Sequence, residues 1–139
     1  MTLLTSYLTF NGNCREAMLF YQRCLGGELV FQTVGDSPEA ADMPEAMREC
    51  ILQATLKNDA LLLMGSDMVD EEVLVHGNTV SLLLHCNSDE KAKQVYEDLS
   101  AGGIASHPLT LSERGTLTGG LTDRYGQRWI FLSDSRKTG

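Results

Sequence analysis

Residues 6–27 read SYLTFNGNCREAMLFYQRCLGG, and residues 81–103 read SLLLHCNSDEKAKQVYEDLSAGG. Each stretch is a short apolar run, a polar turn, an amphipathic segment and a Gly-Gly stop. Tyr21 and Tyr96 hold matching places in the two copies. Self-similarity over about half a chain means one supersecondary unit used twice. Reading on from each copy predicts three more strands, so the order is β-α-β-β-β, twice. The fold class is therefore α+β. Two βαβββ modules form curved mixed sheets, each with one face on its helix and the other lining a central cleft. Module 1 spans about 4–67, a linker 68–78 and module 2 about 79–134, within a single domain of 1–139.

The local signals agree with this frame. Leu4 to Phe10 reads as a strand. Asn13 is placed as an N-cap with Glu16 as its capping-box partner, and the helix runs to about Leu25. Gly26-Gly27 ends it, because glycine accepts the left-handed conformation of a helix stop. Glu28 to Val34 is a strand. Residues 35–49 are polar, hold Pro38 and Pro44, and read as a loop with a helical turn over 44–48. Cys50–Lys57 and Ala60–Met64 form a hairpin around Asn58-Asp59. Thr79–Cys86 is a strand, and Ser88 caps a helix ending near Ala101. Ile104–Leu111, Thr116–Thr122 and Gln127–Leu132 are the last three strands. Asp123-Arg124-Tyr125-Gly126 is a turn in which Gly126 suits a positive φ.

Composition narrows the function. The chain has 139 residues, 42% hydrophobic and 22% charged, with a net charge of −8. An acidic chain without a basic stripe is repelled by phosphate backbones, so nucleic acid is not an expected partner. No apolar run reaches the ~20 residues of a membrane span, and no signal peptide is evident. Acidic residues gather at 36–49 and 67–72, which read as solvated loops or as a rim for a cationic ligand. The four cysteines show no Cys-x-x-Cys spacing. They read as free thiols in a reducing compartment, and cytoplasm is the expected location. Cys14 stands apart, because the first turn of a helix lowers a thiol pKa. No histidine lies near it in sequence to make it a nucleophile.

Strand alternation sorts candidate site residues. Thr79, Ser81, Leu83 and His85 share one face, opposite an apolar set facing the helix. With Trp129 and Phe131 turned inward, Arg128, Ile130 and Leu132 turn outward. Arg128 is then placed to grip an anionic group by a forked hydrogen bond. Ile51, Gln53 and Thr55 share a face in the third strand. The expected cleft lining is Ser6, Leu8, Phe10, Ile51, Gln53, Thr55, Ser81, Leu83, His85 and Ile130, with Arg128 at its edge. That mixture suits an organic molecule with a few polar groups.

Several segments, in order, resemble one known group. Tyr7-Leu8-Thr9-Phe10-Asn11-Gly12-Asn13 leads to Glu16-Ala17 and Phe20-Tyr21. Leu62-Leu63-Met64-Gly65-Ser66-Asp67 looks like a hairpin ending in Ser-Asp. Thr122 to Trp129 resembles an Asp-x-Phe-Gly-x-x-Trp signature, with Tyr125 in the Phe place. Over about residues 4–134 the chain is thereby similar to the vicinal-oxygen-chelate superfamily of glyoxalase I, bleomycin-resistance proteins and extradiol dioxygenases. Within it, the match is to the PhnB-like branch, often labelled 3-demethylubiquinone-9 3-methyltransferase-like. The resemblance implies a homodimer. It also implies a divalent metal held by His and Glu side chains, acting as a Lewis acid on paired substrate oxygens. Carried onto this chain, the ligand positions fall near Ser6, Gln53, Ser81 and Ile130, a set that does not make a metal site. Arg114 and Thr118 replace aromatic residues of the branch.

The expectation is a small-molecule-binding protein of this fold without the catalytic metal and with no resident cofactor. The alternative is a metal-dependent lyase, isomerase or dioxygenase of the same superfamily, with His85 as general base and Gln53 as an orienting group. The methyltransferase label finds no support in the glycines, since no Gly-rich turn follows a first strand of a doubly wound sheet.

Overall fold

Apolar residues on alternate strand positions and on one stripe of each helix generate two sheet-and-helix layers. The computed structural model describes residues 2–36, 48–67 and 74–134. The chain divides into two compact units, residues 1–74 and 75–139.

The first unit contains β1 (Ser6–Phe10), α1 (Cys14–Leu25), β2 (Glu28–Thr33), β3 (Ile51–Asn58) and β4 (Leu61–Asp67). Its sheet order is β1-β4-β3-β2, with β1 parallel to β4 and the other pairs antiparallel. The second unit repeats this as β5 (Leu82–Cys86), α2 (Asp89–Ser100), β6 (Ile104–Leu111), β7 (Leu117–Thr122) and β8 (Arg128–Ser133), in sheet order β5-β8-β7-β6. The predicted repeat is thus present element for element. A single turn of 3-10 helix, Val34–Asp36, follows β2.

One helix covers one face of each sheet. α1 buries Cys14, Ala17, Met18, Phe20, Tyr21 and Cys24. α2 buries Ala92, Val95, Tyr96 and Leu99. Opposite them lie Ala54, Leu56 and Leu63 in the first unit and Leu117, Leu121, Trp129 and Phe131 in the second. Each large side chain of this kind, once fully buried, contributes about 1.5–3 kcal/mol.

Boundaries differ from expectation in informative places. β1 begins at Ser6, and Leu4 is fully exposed. β4 runs on to Asp67, because Gly65, Ser66 and Asp67 continue the parallel ladder with Leu8, Thr9 and Phe10. β5 begins only at Leu82. The expected helical turn over 44–48 and most of the 68–78 linker fall largely on residues 37–47 and 68–73, outside the described residues.

The start of α1 is also different. Asn13 makes no side-chain capping bond. Instead the buried Asp67 takes that role from the end of β4. Its Oδ1 accepts from the Cys14 amide at 2.9 Å and its Oδ2 from the Ile51 amide at 2.8 Å. The expectation that Asp67 is part of a solvated loop is corrected here. In the second unit Ser88 caps α2 as expected, its Oγ accepting from the Lys91 amide at 3.1 Å. There Ser133, at the end of β8, donates to Asp89 Oδ1 at 2.7 Å. Both units thus tie the last strand to the first turn of the helix.

Candidate functional site

β1 alternates with Ser6, Leu8 and Phe10 on the less exposed side. The Phe10 ring lies 6.5 Å from that of Tyr21 in α1. These three residues therefore turn toward the helix, away from the open face on which they were expected. Ile51 is corrected in the same way. Gln32 pairs with Gln53, but Thr33 pairs with Ile51, so β3 carries one extra residue at Leu52. Such a bulge inverts the phase of everything before it. Ile51 is 1% exposed and lies in the core. Gln53 and Thr55 do stand on the open face of this sheet. Gln53 pairs with Gln32, and Thr55 lies between Val30 and Met64.

The open face of the second sheet is more developed. Its register sets three rows across the strands. Ile104, Thr122 and Arg128 make one; His107, Gly120, Ile130 and Leu83 make the next; Thr110, Thr118, Leu132 and His85 make the third. Ser81, His85, Arg128 and Ile130, all expected here, share this face. His85 Nε2 lies 3.0 Å from Asp134 Oδ1, with both side chains exposed. Between the rows is a concavity of about 330 Å³, walled by Ser81, Ser106, His107, Thr118, Arg128 and Ile130.

Sequence reasoning missed Ser106, His107, Thr118 and Gly120 as lining residues. The reason is the register of β6. Ile104, His107 and Thr110, three residues apart, face Thr122, Gly120 and Thr118, two apart. An extra residue at each step breaks the alternation from which a face is read. The signal that does exist is the glycine pair Gly119-Gly120 inside a strand, which marks close approach or open space.

Tyr96, the residue that marks the repeat, braces this region from beneath. Its hydroxyl sits 3.0 Å from the carbonyl oxygens of both His107 and Gly120. Burial pushes the Tyr96 phenol up from its usual range. The turn before β8 is held by Asp123. Its Oδ1 accepts from the amides of Tyr125 and Gln127, and its Oδ2 accepts from Trp129 Nε1 at 2.8 Å. The Asp-x-Phe-Gly-x-x-Trp pattern therefore performs a structural task. Gly126, at φ +89°, is where that turn needs glycine.

Cys14 is no activated thiol. Burial, aided by the Asp67 carboxylate, pushes it up to about 12, and nearby Arg15 offsets this only in part. The expected dipole effect is outweighed by loss of solvent.

The metal that the resemblance implies does not fit the residues present. Ser6 and Gln53 stand on opposite faces of one sheet, and Ile130 has no donor atom. Hydroxyl and amide oxygens are poor ligands beside imidazole or carboxylate. Among the described residues, no three His, Cys, Asp or Glu side chains gather where they could hold an ion. No helix among those residues is long and apolar enough to cross a membrane.

The family model described as 3-demethylubiquinone-9 3-methyltransferase matches residues 2–131. Protein YjdN of Escherichia coli K12 is 26% identical over 137 aligned residues, covering 91% of this chain and 92% of that protein. The crystal structure of protein PA1353 from Pseudomonas aeruginosa superposes with a TM-score of 0.84 at 31% identity, covering 96% of this chain and 98% of that one. A PhnB protein from Bacillus cereus, described as a putative 3-demethylubiquinone-9 3-methyltransferase, superposes at 0.77 with 23% identity, over 96% and 100% of the two chains. Glyoxalase-related and bleomycin-resistance structures share the fold at lower identity.

Proposed function

The chain belongs to the family described as 3-demethylubiquinone-9 3-methyltransferase, the PhnB-like branch of the glyoxalase and bleomycin-resistance superfamily, and on that footing we propose that it is a small-molecule-binding protein working without the superfamily's catalytic metal. The observation that carries this reading is the walled concavity on the open face of the second sheet. Hydroxyls, an imidazole, a guanidinium and an apolar floor are the makings of a receptor for an organic molecule. The donor set carried over from the superfamily favours the same reading, because it lacks the imidazoles and carboxylates that grip a divalent ion. The protein acts as a homodimer in the cytoplasm, a location that suits four free thiols.

The family's descriptive label does not extend to methyl transfer of the common S-adenosylmethionine kind. That chemistry uses a doubly wound parallel sheet with a Gly-rich turn after its first strand. Each sheet here has a single parallel pair.

One observation favours a second reading, an enzyme of the same superfamily. The His85–Asp134 pair has the geometry of a general base held by a carboxylate. A thermal-shift titration with micromolar Ni²⁺, Mn²⁺ and Zn²⁺ separates the two. The binding reading expects no rise in melting temperature. A rise that disappears in Gln53→Ala or His85→Ala would replace it with the metal enzyme.

A further inference from the structure

Building on the small-molecule reading above, we propose that the concavity of the second unit is a receptor for a small organic anion, with an oxyanion head and an apolar body. Five features of the site argue for it.

Gly120 makes the hollow. Its backbone does not lie in the left-handed region, so the conformation does not demand glycine there. A Cβ at this position would point into the concavity, 3.2 Å from the Trp129 carbonyl oxygen and 3.9 Å from His107 Cβ and Nδ1. What glycine supplies is room, in the middle of a row otherwise occupied by His107, Ile130 and Leu83.

Arg128 supplies the charge. It is half-buried at the wall, and its guanidinium makes no hydrogen bond or ion pair with any described residue. A guanidinium fork left open beside a concavity matches two oxygens of a carboxylate or phosphate-type group. His107, Ser106, Thr118 and Ser81 add further polar atoms on the same wall.

No carboxylate lines the concavity among the described residues. Its local sign is therefore opposite to that of the chain, which carries −8 overall. A cationic ligand would meet Arg128 with nothing to offset it, so the acidic rim expected from composition does not describe this pocket.

Ile130 supplies the apolar floor beside Gly120. It is 46% exposed, an unusual state for isoleucine in an inner strand.

Tyr96 keeps the hollow open. Its hydroxyl spans the His107 and Gly120 carbonyls where the β6 register shifts, so the wall is fixed before a ligand arrives. Preformed sites lose less entropy on binding.

Four size-matched probes test the assignment on the ¹⁵N-labelled full chain: benzoate, phenylphosphonate, benzyl alcohol and benzylamine. Benzoate and phenylphosphonate are expected to shift the amides of Thr118, Gly119, Gly120 and Ile130 saturably, and more weakly at high salt. Arg128→Gln lowers their affinity by about tenfold or more, and Arg128→Lys recovers only part of it, because a point charge lacks the fork. Gly120→Leu fills the hollow and abolishes the response. Benzylamine or benzyl alcohol binding as tightly as benzoate, or an unchanged benzoate affinity in Arg128→Gln, would overturn the anion assignment while leaving the small-molecule reading in place. Silence from all four probes at millimolar concentration would overturn both.

Discussion

Cys14 faces two opposed influences, a helix N-terminus that favours thiolate and a buried site that forbids charge. Burial wins, with Asp67 adding repulsion, and the thiol is pushed up to about 12. At pH 8 its thiolate fraction is then about a thousandfold below that of an ordinary cysteine. Cys14 in the native protein should therefore resist a thiol-specific disulfide reagent until the chain unfolds, while half-buried Cys50 reacts. Mass mapping of the modified cysteines checks this. The same shift has a consequence for stability. The unfolded thiol releases its proton near the ordinary value of 9.0, but the folded thiol holds it to about 12. Between those values the unfolded state binds fewer protons, so stability falls as pH rises, by at most about 1.4 kcal/mol per unit. Tyr96 and Cys86, both raised by burial, push in the same direction. The part due to Cys14 is read as the difference between wild type and Cys14→Ala in urea titrations at pH 8 and pH 10. A flat difference would show that the thiol is not held neutral by the fold. Sequence exposed the position of Cys14 but not its burial, since desolvation depends on what the rest of the chain lays over it.

The two helices show which element signals can be read locally. Ser88 caps α2 by reaching three residues ahead, so its role is written in adjacent sequence. The cap of α1 comes from Asp67, 53 residues away, and no window around Asn13 contains it. Asp67 also accepts from the first amide of β3, so one carboxylate joins the starts of α1 and β3 to the end of β4. Asp67→Ala leaves two buried amides without their acceptor. The expected cost is about 2–4 kcal/mol, from two charge-assisted bonds and the lost cap. Asn13→Ala, by contrast, should cost little, since that side chain caps nothing. Urea midpoints for the two variants check the contrast, and equal losses would return the cap to Asn13. Strand faces follow the same logic. Alternation placed Trp129 and Phe131 inside and Ile130 outside, as found. It failed for Ile51 because of the bulge at Leu52. Along β6 it has no fixed phase to read, because two register shifts bring His107 opposite Gly120. Bulges are set by pairing between strands, which a single strand's pattern does not record.

At the scale of the whole molecule, the repeat was legible because helix amphipathicity and glycine stops are local and occur twice. The open faces are a different matter, since exposure is a property of the folded layers. Tyr7, Val30 and Leu52 are 54%, 57% and 45% exposed in the first unit, and Leu83 and Ile130 are 59% and 46% exposed in the second. Apolar side chains gathered on one sheet face mark an interaction surface more often than chance exposure. A ligand the size of the 330 Å³ concavity meets only the centre of one such face. Val30 lies on β2, one of the two edge strands of its sheet, and takes no part in that concavity. A second copy of the chain is the expected partner for the first sheet's residues. Sedimentation equilibrium at micromolar concentration should then give about twice the 15.3 kDa chain mass. Val30→Glu places a charge on the covered surface and should shift the equilibrium toward monomer by tenfold or more, roughly the effect of 1.4 kcal/mol. Its circular dichroism should stay unchanged, because residue 30 is already in contact with solvent in the isolated chain. A wild-type monomer at high micromolar concentration, or a Val30→Glu dimer of undiminished strength, would mean that association does not use this face.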